Sequence, residues 1–175
     1  MNFPNILSIS RIFLLIPIII FFENESYFLS IITFTIASVT DYLDGYIARK
    51  QNLVTKIGAL LDLLADKIFV SIILIWMTFS FESILILVAS ILIISREIAV
   101  SYLRLFIISN YRETKEVKPD LLGKLKTALQ MIGIGCILIT PITPFFFFNL
   151  SLTLIFLSAI FSWYSFFKYL NKWLA

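Results

Sequence analysis

The sequence predicts an all-α, polytopic membrane protein: a single domain over residues 1–175 with six transmembrane helices. Three observations predict it. The chain is 60% hydrophobic and 14% charged, with a mean hydropathy of +0.99, whereas soluble domains lie nearer half apolar and a quarter charged. Its apolar residues fall in six runs, each near the roughly 20 residues a helix needs to cross hydrocarbon. The turns between them alternate in charge as the positive-inside rule requires.

The first span is Ile6–Phe22, beginning after Pro4. Arg11 interrupts it, and neither a basic leader nor a small-residue cleavage site is present, so a cleaved signal peptide is not expected. The second span is Tyr27–Arg49, the third Lys56–Phe79 and the fourth Glu82–Ser109. The fifth, Gly123–Thr140, is closed by Pro141 and Pro144, which cannot continue a helix. The sixth is Phe148–Lys168, and the aromatics at Phe145–Phe148 and Trp163–Phe167 are expected to anchor the interface or pack helices. The turn Glu23–Ser26 carries only acids, the turn at Phe81–Glu82 one acid, and Pro141–Asn149 no charge. The alternate turns hold Arg49, Lys50 and Lys56, then Arg112, Lys115, Lys118, Lys124 and Lys126, with Lys168 and Lys172 near the end. Both termini and the basic loops are therefore expected on the cytoplasmic side of the membrane. This topology accounts for the net charge of +3 without nucleic acid as a partner.

Composition also removes whole classes of chemistry. The chain has no histidine, so imidazole ligands, imidazole bases and His-containing triads are excluded. Its one cysteine, Cys136, lies in an apolar run, cannot form an intrachain disulfide, and reads as filler.

Against this background stands the stretch Asp41–Lys67, "DYLDGYIARKQNLVTKIGALLDLLADK". Asp41 and Asp44 are three apart and share a helix face; Gly58, Asp62 and Asp66 recur every four residues and share another. At roughly 1.5 Å per residue, Asp44 lies about 7 Å and Asp41 about 12 Å below Arg49, while Asp62 lies about 9 Å and Asp66 about 15 Å below Lys56. Four carboxylates thus reach similar depths on two antiparallel helices, just beneath the cytoplasmic surface. Each acid left bare at the bilayer centre costs about 2.5–3.5 kcal/mol, somewhat less near its edge. Divalent cations remove that cost. Hard oxygen ligands favour Mg²⁺ or Mn²⁺, with Ca²⁺ also compatible. Four acids suit two ions about 3.5–4 Å apart, an arrangement used for displacement at phosphorus. Gly45, Ala48, Gly58 and Ala59 permit close helix packing or close approach of a ligand.

The pattern Asp41-x2-Asp44-Gly45-x2-Ala48-Arg49-x8-Gly58-x3-Asp62-x3-Asp66 fixes eight positions over 26 residues. It resembles the full signature of the CDP-alcohol phosphotransferases. The resemblance implies a six-helix membrane fold, usually homodimeric. It implies that Asp41, Asp44, Asp62 and Asp66 face two divalent metal ions, with Asp66 as general base. Gly45, Ala48 and Gly58 would belong to the CDP-binding site, and Arg49 with the metals would hold the diphosphate. The implied reaction is attack by an alcohol hydroxyl on the phosphorus nearer the lipid in a CDP-lipid, with CMP leaving.

Further stretches narrow the acceptor. "NFPNILSISRIFLLIP", "ISREIAVSYLR" at Ile94–Arg104 and "GKLKTALQM" at Gly123–Met131 resemble bacterial phosphatidylglycerophosphate synthases. This implies CDP-diacylglycerol and glycerol 3-phosphate as substrates. Two positions depart from that subfamily: Leu63 stands where proline is usual, and Leu105 where an acid is frequent. Independently, Arg104 sits deep in an apolar span, and Lys124 and Lys126 open the fifth; a phosphate dianion would pair with such cations. Arg104, Lys124 and Lys126 are therefore the expected acceptor-phosphate residues, while Arg96 beside Glu97 reads as an acceptor contact or an internal salt bridge. Thr127 and Gln130 read as acceptor contacts or as polar contacts between helices. Another CDP-alcohol phosphotransferase, acting on inositol phosphate, serine or phosphatidylglycerol, shares the signature. A cation or proton transporter would need ionisable groups through the full depth, which this chain lacks. A degenerate scaffold would have lost an aspartate, and none is lost.

Overall fold

The computed structural model describes the backbone of residues 3–50, 56–110 and 121–174, and the side chains of residues 10–40, 63–103, 106 and 125–171. The described residues form six α-helices and no strand: α1 Phe3–Glu23, α2 Tyr27–Lys50, α3 Lys56–Ser80, α4 Ile84–Asn110, α5 Leu121–Ile139 and α6 Phe145–Leu174. Among the described residues four stretches are long and apolar enough to cross a membrane, namely Leu63–Ser80, Ile84–Leu103, Leu125–Ile142 and Phe145–Asn171; α2 adds the shorter apolar stretch Tyr27–Thr40.

The helix ends follow local chemistry. The turn after α1 has Glu25 in the left-handed region (φ 57°). Its amide bonds to the Phe22 carbonyl at 2.9 Å, and the Ser26 amide to the Phe21 carbonyl at 2.8 Å. This paired closure caps a helix through a left-handed residue. Glu82 (φ 44°) occupies the equivalent place after α3. The prolines shape the last junction: Thr140–Ile142 forms a 3-10 turn with Pro141 near its start. α6 then begins at Phe145, a turn earlier than the apolar run alone predicts, because Pro144 precedes it and fixes the entry.

The buried residues recur at helical spacing, which is why each helix presents a face inward. On α3 they are Ala65, Phe69, Ile73 and Met77; on α4, Ile86, Ala89, Ile93, Arg96 and Val100. On α6 the inward face is made of small groups, Ser151, Ser158, Ala159 and Ser162, with Leu152 and Ile155 between them. Small residues let membrane helices approach closely. Large apolar side chains cover the outside, Phe79, Ile84 and Phe145 each being more than 70% exposed. That is the surface distribution of a chain solvated by lipid, and it matches a multi-pass membrane protein.

The principal helix contacts close a ring: α1 packs on α2, α2 on α5, α5 on α6, α6 on α4, α4 on α3, and α3 on α1. Directions follow from paired residues. Glu23 accepts from the Trp76 indole at 2.8 Å, and Arg11 pairs with Asp66, so α1 and α3 run parallel. Ser30 donates to the Ile18 carbonyl at 2.9 Å, so α2 runs back along α1. Ser90 donates to the Leu74 carbonyl (3.4 Å) and Lys67 to Ser101, so α4 runs back along α3. Across the ring interior Phe34 of α2 stacks on Phe69 of α3 at 6.0 Å. The half of the interior toward the α1–α2 turn is apolar, filled by Phe69, Ile73, Leu74, Met77, Ile134, Ile137 and Leu138. The other half carries charge.

Candidate active site

The backbone places Asp41 and Asp62 at one level. Phe34 and Phe69 meet across the ring. Asp41 and Asp62 each lie seven residues from those rings, toward the ends of α2 and α3 that are joined by residues 51–55. At 1.5 Å per residue both are about 10 Å along. Asp44 lies one turn beyond Asp41, and Asp66 one turn back from Asp62. The side chains of Asp41, Asp44, Gly45, Ala48, Arg49, Gly58 and Asp62 lie outside the described set, as do those of Arg104 and Lys124.

Asp66 is described, and it is engaged. It pairs with Arg11 of α1, whose side chain is 1% exposed while that of Asp66 is 45% exposed. Arg11 is among the largest fully buried side chains in the molecule. The sequence reading used Arg11 only to argue against a cleaved leader and missed this partnership. Its signal was present: an ionisable residue inside an apolar span needs a partner. Which helix supplies that partner is a question of packing, and periodicity cannot answer it.

The next residue, Lys67, faces the other neighbour of α3. Its ammonium donates to Ser101 and to the Glu97 carbonyl (3.2 Å), and lies 3.9 Å from Glu97 Oε2. Adjacent positions on a helix are about 100° apart, so consecutive charges tie α3 to α1 and to α4. Glu97 is a hub. Its Oε1 accepts from Arg96 Nη1 at 2.9 Å and from Lys126 Nζ at 2.6 Å. The Arg96–Glu97 salt bridge expected as one reading is thus formed, and Arg96 also donates from Nε to the Ser162 carbonyl at 3.0 Å. The Lys126 pair reaches across the ring interior from α5 to α4, while the Lys126 carbonyl accepts from Ser158 of α6 at 2.9 Å. Lys126 is therefore an internal ion-pair partner in this structure. Gln130, one turn further along α5, is buried.

Helix register relates this hub to the residues expected for the acceptor. Continuing the antiparallel α3–α4 register places the Arg104 backbone opposite the turn of α3 that carries Asp62. Lys124 precedes Lys126 by two residues, about 3 Å toward the same end of the ring. Basic residues on α4 and α5 thus occupy the carboxylate level or border it.

The donor chemistry fits a hard divalent cation: the chain offers carboxylate oxygens and no imidazole. Among the described residues no group of three or more metal-ligating side chains occurs, since Asp66 alone of the four has its side chain within that set.

Comparison with known proteins shows the family. Residues 1–167 match the family model described as CDP-alcohol phosphatidyltransferase. A protein of Wigglesworthia glossinidia brevipalpis named CDP-diacylglycerol–glycerol-3-phosphate 3-phosphatidyltransferase is 39% identical over 143 residues, covering 79% of this chain and 77% of its own. Proteins of the same name from Haemophilus influenzae and Escherichia coli strain K12 are 37% identical over 140 residues and 30% identical over 174 residues. The former covers 78% of this chain and 75% of its own, the latter 97% and 93%. With its match spanning nearly the whole length and its aspartate signature complete, the chain belongs to the CDP-alcohol phosphatidyltransferase family.

Proposed function

We propose that the chain transfers the phosphatidyl group of CDP-diacylglycerol to glycerol 3-phosphate, giving phosphatidylglycerophosphate and CMP in phosphatidylglycerol synthesis. The observation that carries this reading is the complete aspartate signature in a chain 30–39% identical to proteins named for that reaction. The acceptor hydroxyl oxygen forms a bond to the lipid-side phosphorus, and the bond from that phosphorus to the bridging diphosphate oxygen breaks. CMP leaves with the electron pair, and the hydroxyl proton passes to Asp66.

The remaining roles are part of the same proposal. Asp41, Asp44, Asp62 and Asp66 would hold one or two divalent cations, Mg²⁺ or Mn²⁺. When bound, such cations supply charge neutralisation at the diphosphate. Gly45, Ala48 and Gly58 leave room for the cytidine, and Arg49 pairs with the diphosphate. Arg104, Lys124 and Lys126 form the basic side that receives the acceptor phosphate. The charge bias of the loops supports six crossings, with both termini and the active site cytoplasmic. We further propose that residues 1–175 are one domain and that the protein works as a homodimer.

The test is CMP release by purified protein with CDP-diacylglycerol and Mg²⁺, run in parallel with glycerol 3-phosphate, inositol 1-phosphate, serine and phosphatidylglycerol. Release with glycerol 3-phosphate alone is expected. Release with another alcohol instead would retain the chemistry and overturn the acceptor.

A further inference from the structure

We propose that Glu97 is a positioning residue for the acceptor, acting through Lys126. The inference rests on the acceptor reading above. It starts from an imbalance of partners at one carboxylate. Glu97 meets cations from three helices: Lys67 of α3, Arg96 of its own helix, and Lys126 of α5. Two of these are held independently. Lys67 also donates to Ser101 and to a backbone carbonyl. Arg96 also donates to the Ser162 carbonyl of α6. The Lys126 ammonium, among the described residues, is held by Glu97 at 2.6 Å. The pair spans the ring interior between α4 and α5, helices whose principal packing partners lie elsewhere.

The consequence is directional. A lysine on a flexible stem has many rotamers, and fixing it beforehand reduces the ordering cost of binding an anion. Glu97 withholds Lys126 from lipid and from the other side of α5. It keeps the ammonium inside the ring, two residues from Lys124 and on the polar side of the bundle. Replacing Glu97 by glutamine preserves the shape, leaves Lys67 and Arg96 their second partners, and removes the charge that holds Lys126. The defect should therefore fall on acceptor binding and spare the nucleotide lipid.

The experiment is two-substrate steady-state kinetics on the full-length protein in detergent, with Mg²⁺, comparing wild type, Glu97→Gln, Lys126→Met and the double variant. We expect KM for glycerol 3-phosphate to rise roughly 10- to 100-fold in Glu97→Gln, on the order of what one hydrogen bond to a charged group is worth. KM for CDP-diacylglycerol should stay within about twofold. Lys126→Met should show the same selective rise, and the double variant should be no worse than Lys126→Met, as expected when one residue acts through the other. Additive losses, an equal rise in both KM values, a fall in kcat alone, or a lower KM for glycerol 3-phosphate would each overturn the proposal. Should Glu97→Gln fail to fold, Glu97→Asp carries the test. It keeps the charge and withdraws the carboxylate by about 1.5 Å, so a selective rise is again expected and an unchanged KM would refute it. An inactive wild type would instead defeat the proposed reaction, which keeps the two failures distinct.

Discussion

Gly133 lies where α5 presses on α6, and alanine there should destabilise the protein. A Cβ at Gly133 would sit 2.6 Å from Ile155 Cγ1, with the Ile155 amide nitrogen and Leu154 Cβ both at 3.4 Å. Carbon pairs prefer about 3.5–4.0 Å, so the overlap is on the order of 1 Å. Ile155 is 1% exposed and has little room to turn. Overpacking of this kind costs about 1–3 kcal/mol, and the better helix propensity of alanine returns up to about 1 kcal/mol. The net loss should be about 1–2 kcal/mol. Reversible unfolding in mixed micelles, followed by circular dichroism, measures it. Ile155→Ala removes the obstructing carbon and alone should cost about 2–5 kcal/mol through the cavity it leaves. In the double variant the new methyl fills part of that cavity, so the combined loss should fall short of the sum by about 1 kcal/mol. A Gly133→Ala protein as stable as wild type, or strictly additive losses, would refute the close-packed interface.

Other expectations concern the site, the caps and the topology. Asparagine at Asp41, Asp44 or Asp62 should lower transferase activity at least about a hundredfold, some 2.7 kcal/mol in the barrier, while circular dichroism stays unchanged; near-normal turnover would remove that residue from the metal set. Chelation with EDTA should abolish CMP release, and added Mg²⁺ or Mn²⁺ should restore it; persistence of activity in excess chelator would contradict the cation requirement. Glu25→Gly should stabilise the protein by about 1 kcal/mol, because Glu25 occupies a left-handed backbone conformation (φ 57°) that disfavours side chains; a lower unfolding midpoint would argue against that turn. With Cys136 replaced by alanine, a cysteine introduced at Asn52 should react with an impermeant maleimide only after the cells are opened, and one at Asn24 in spheroplasts; the reverse pattern would invert the proposed orientation.

Much of the fold was legible because lipid solvation imposes a coarse pattern. Among the described residues, six apolar runs separated by polar segments became six helices, most ends within a few residues of expectation. The exceptions have local causes. The described α1 already includes Phe3 and Pro4, proline being tolerated in a first helical turn; α6 begins at Phe145 directly after Pro144 and runs to Leu174, past the expected Lys168. The aspartate spacing was equally legible, since carboxylates three and four apart in apolar helices have few explanations. The polar wiring was not. Arg11 with Asp66, Lys67 with Ser101, and Lys126 with Glu97 join residues 29–55 positions apart. They depend on the ring order of the helices, which hydropathy does not encode. Lys126 looked like a simple anion contact because its spacing from Lys124 was visible and its partner on α4 was not.

The most direct test of the account is incorporation of labelled glycerol 3-phosphate into lipid by membranes carrying wild-type protein or Asp62→Asn, with CDP-diacylglycerol supplied and expression matched. The account predicts labelled phosphatidylglycerophosphate with wild type, one CMP released per lipid formed, and near-background label with the variant. Equal label from both proteins, or CMP released without labelled lipid, would contradict it.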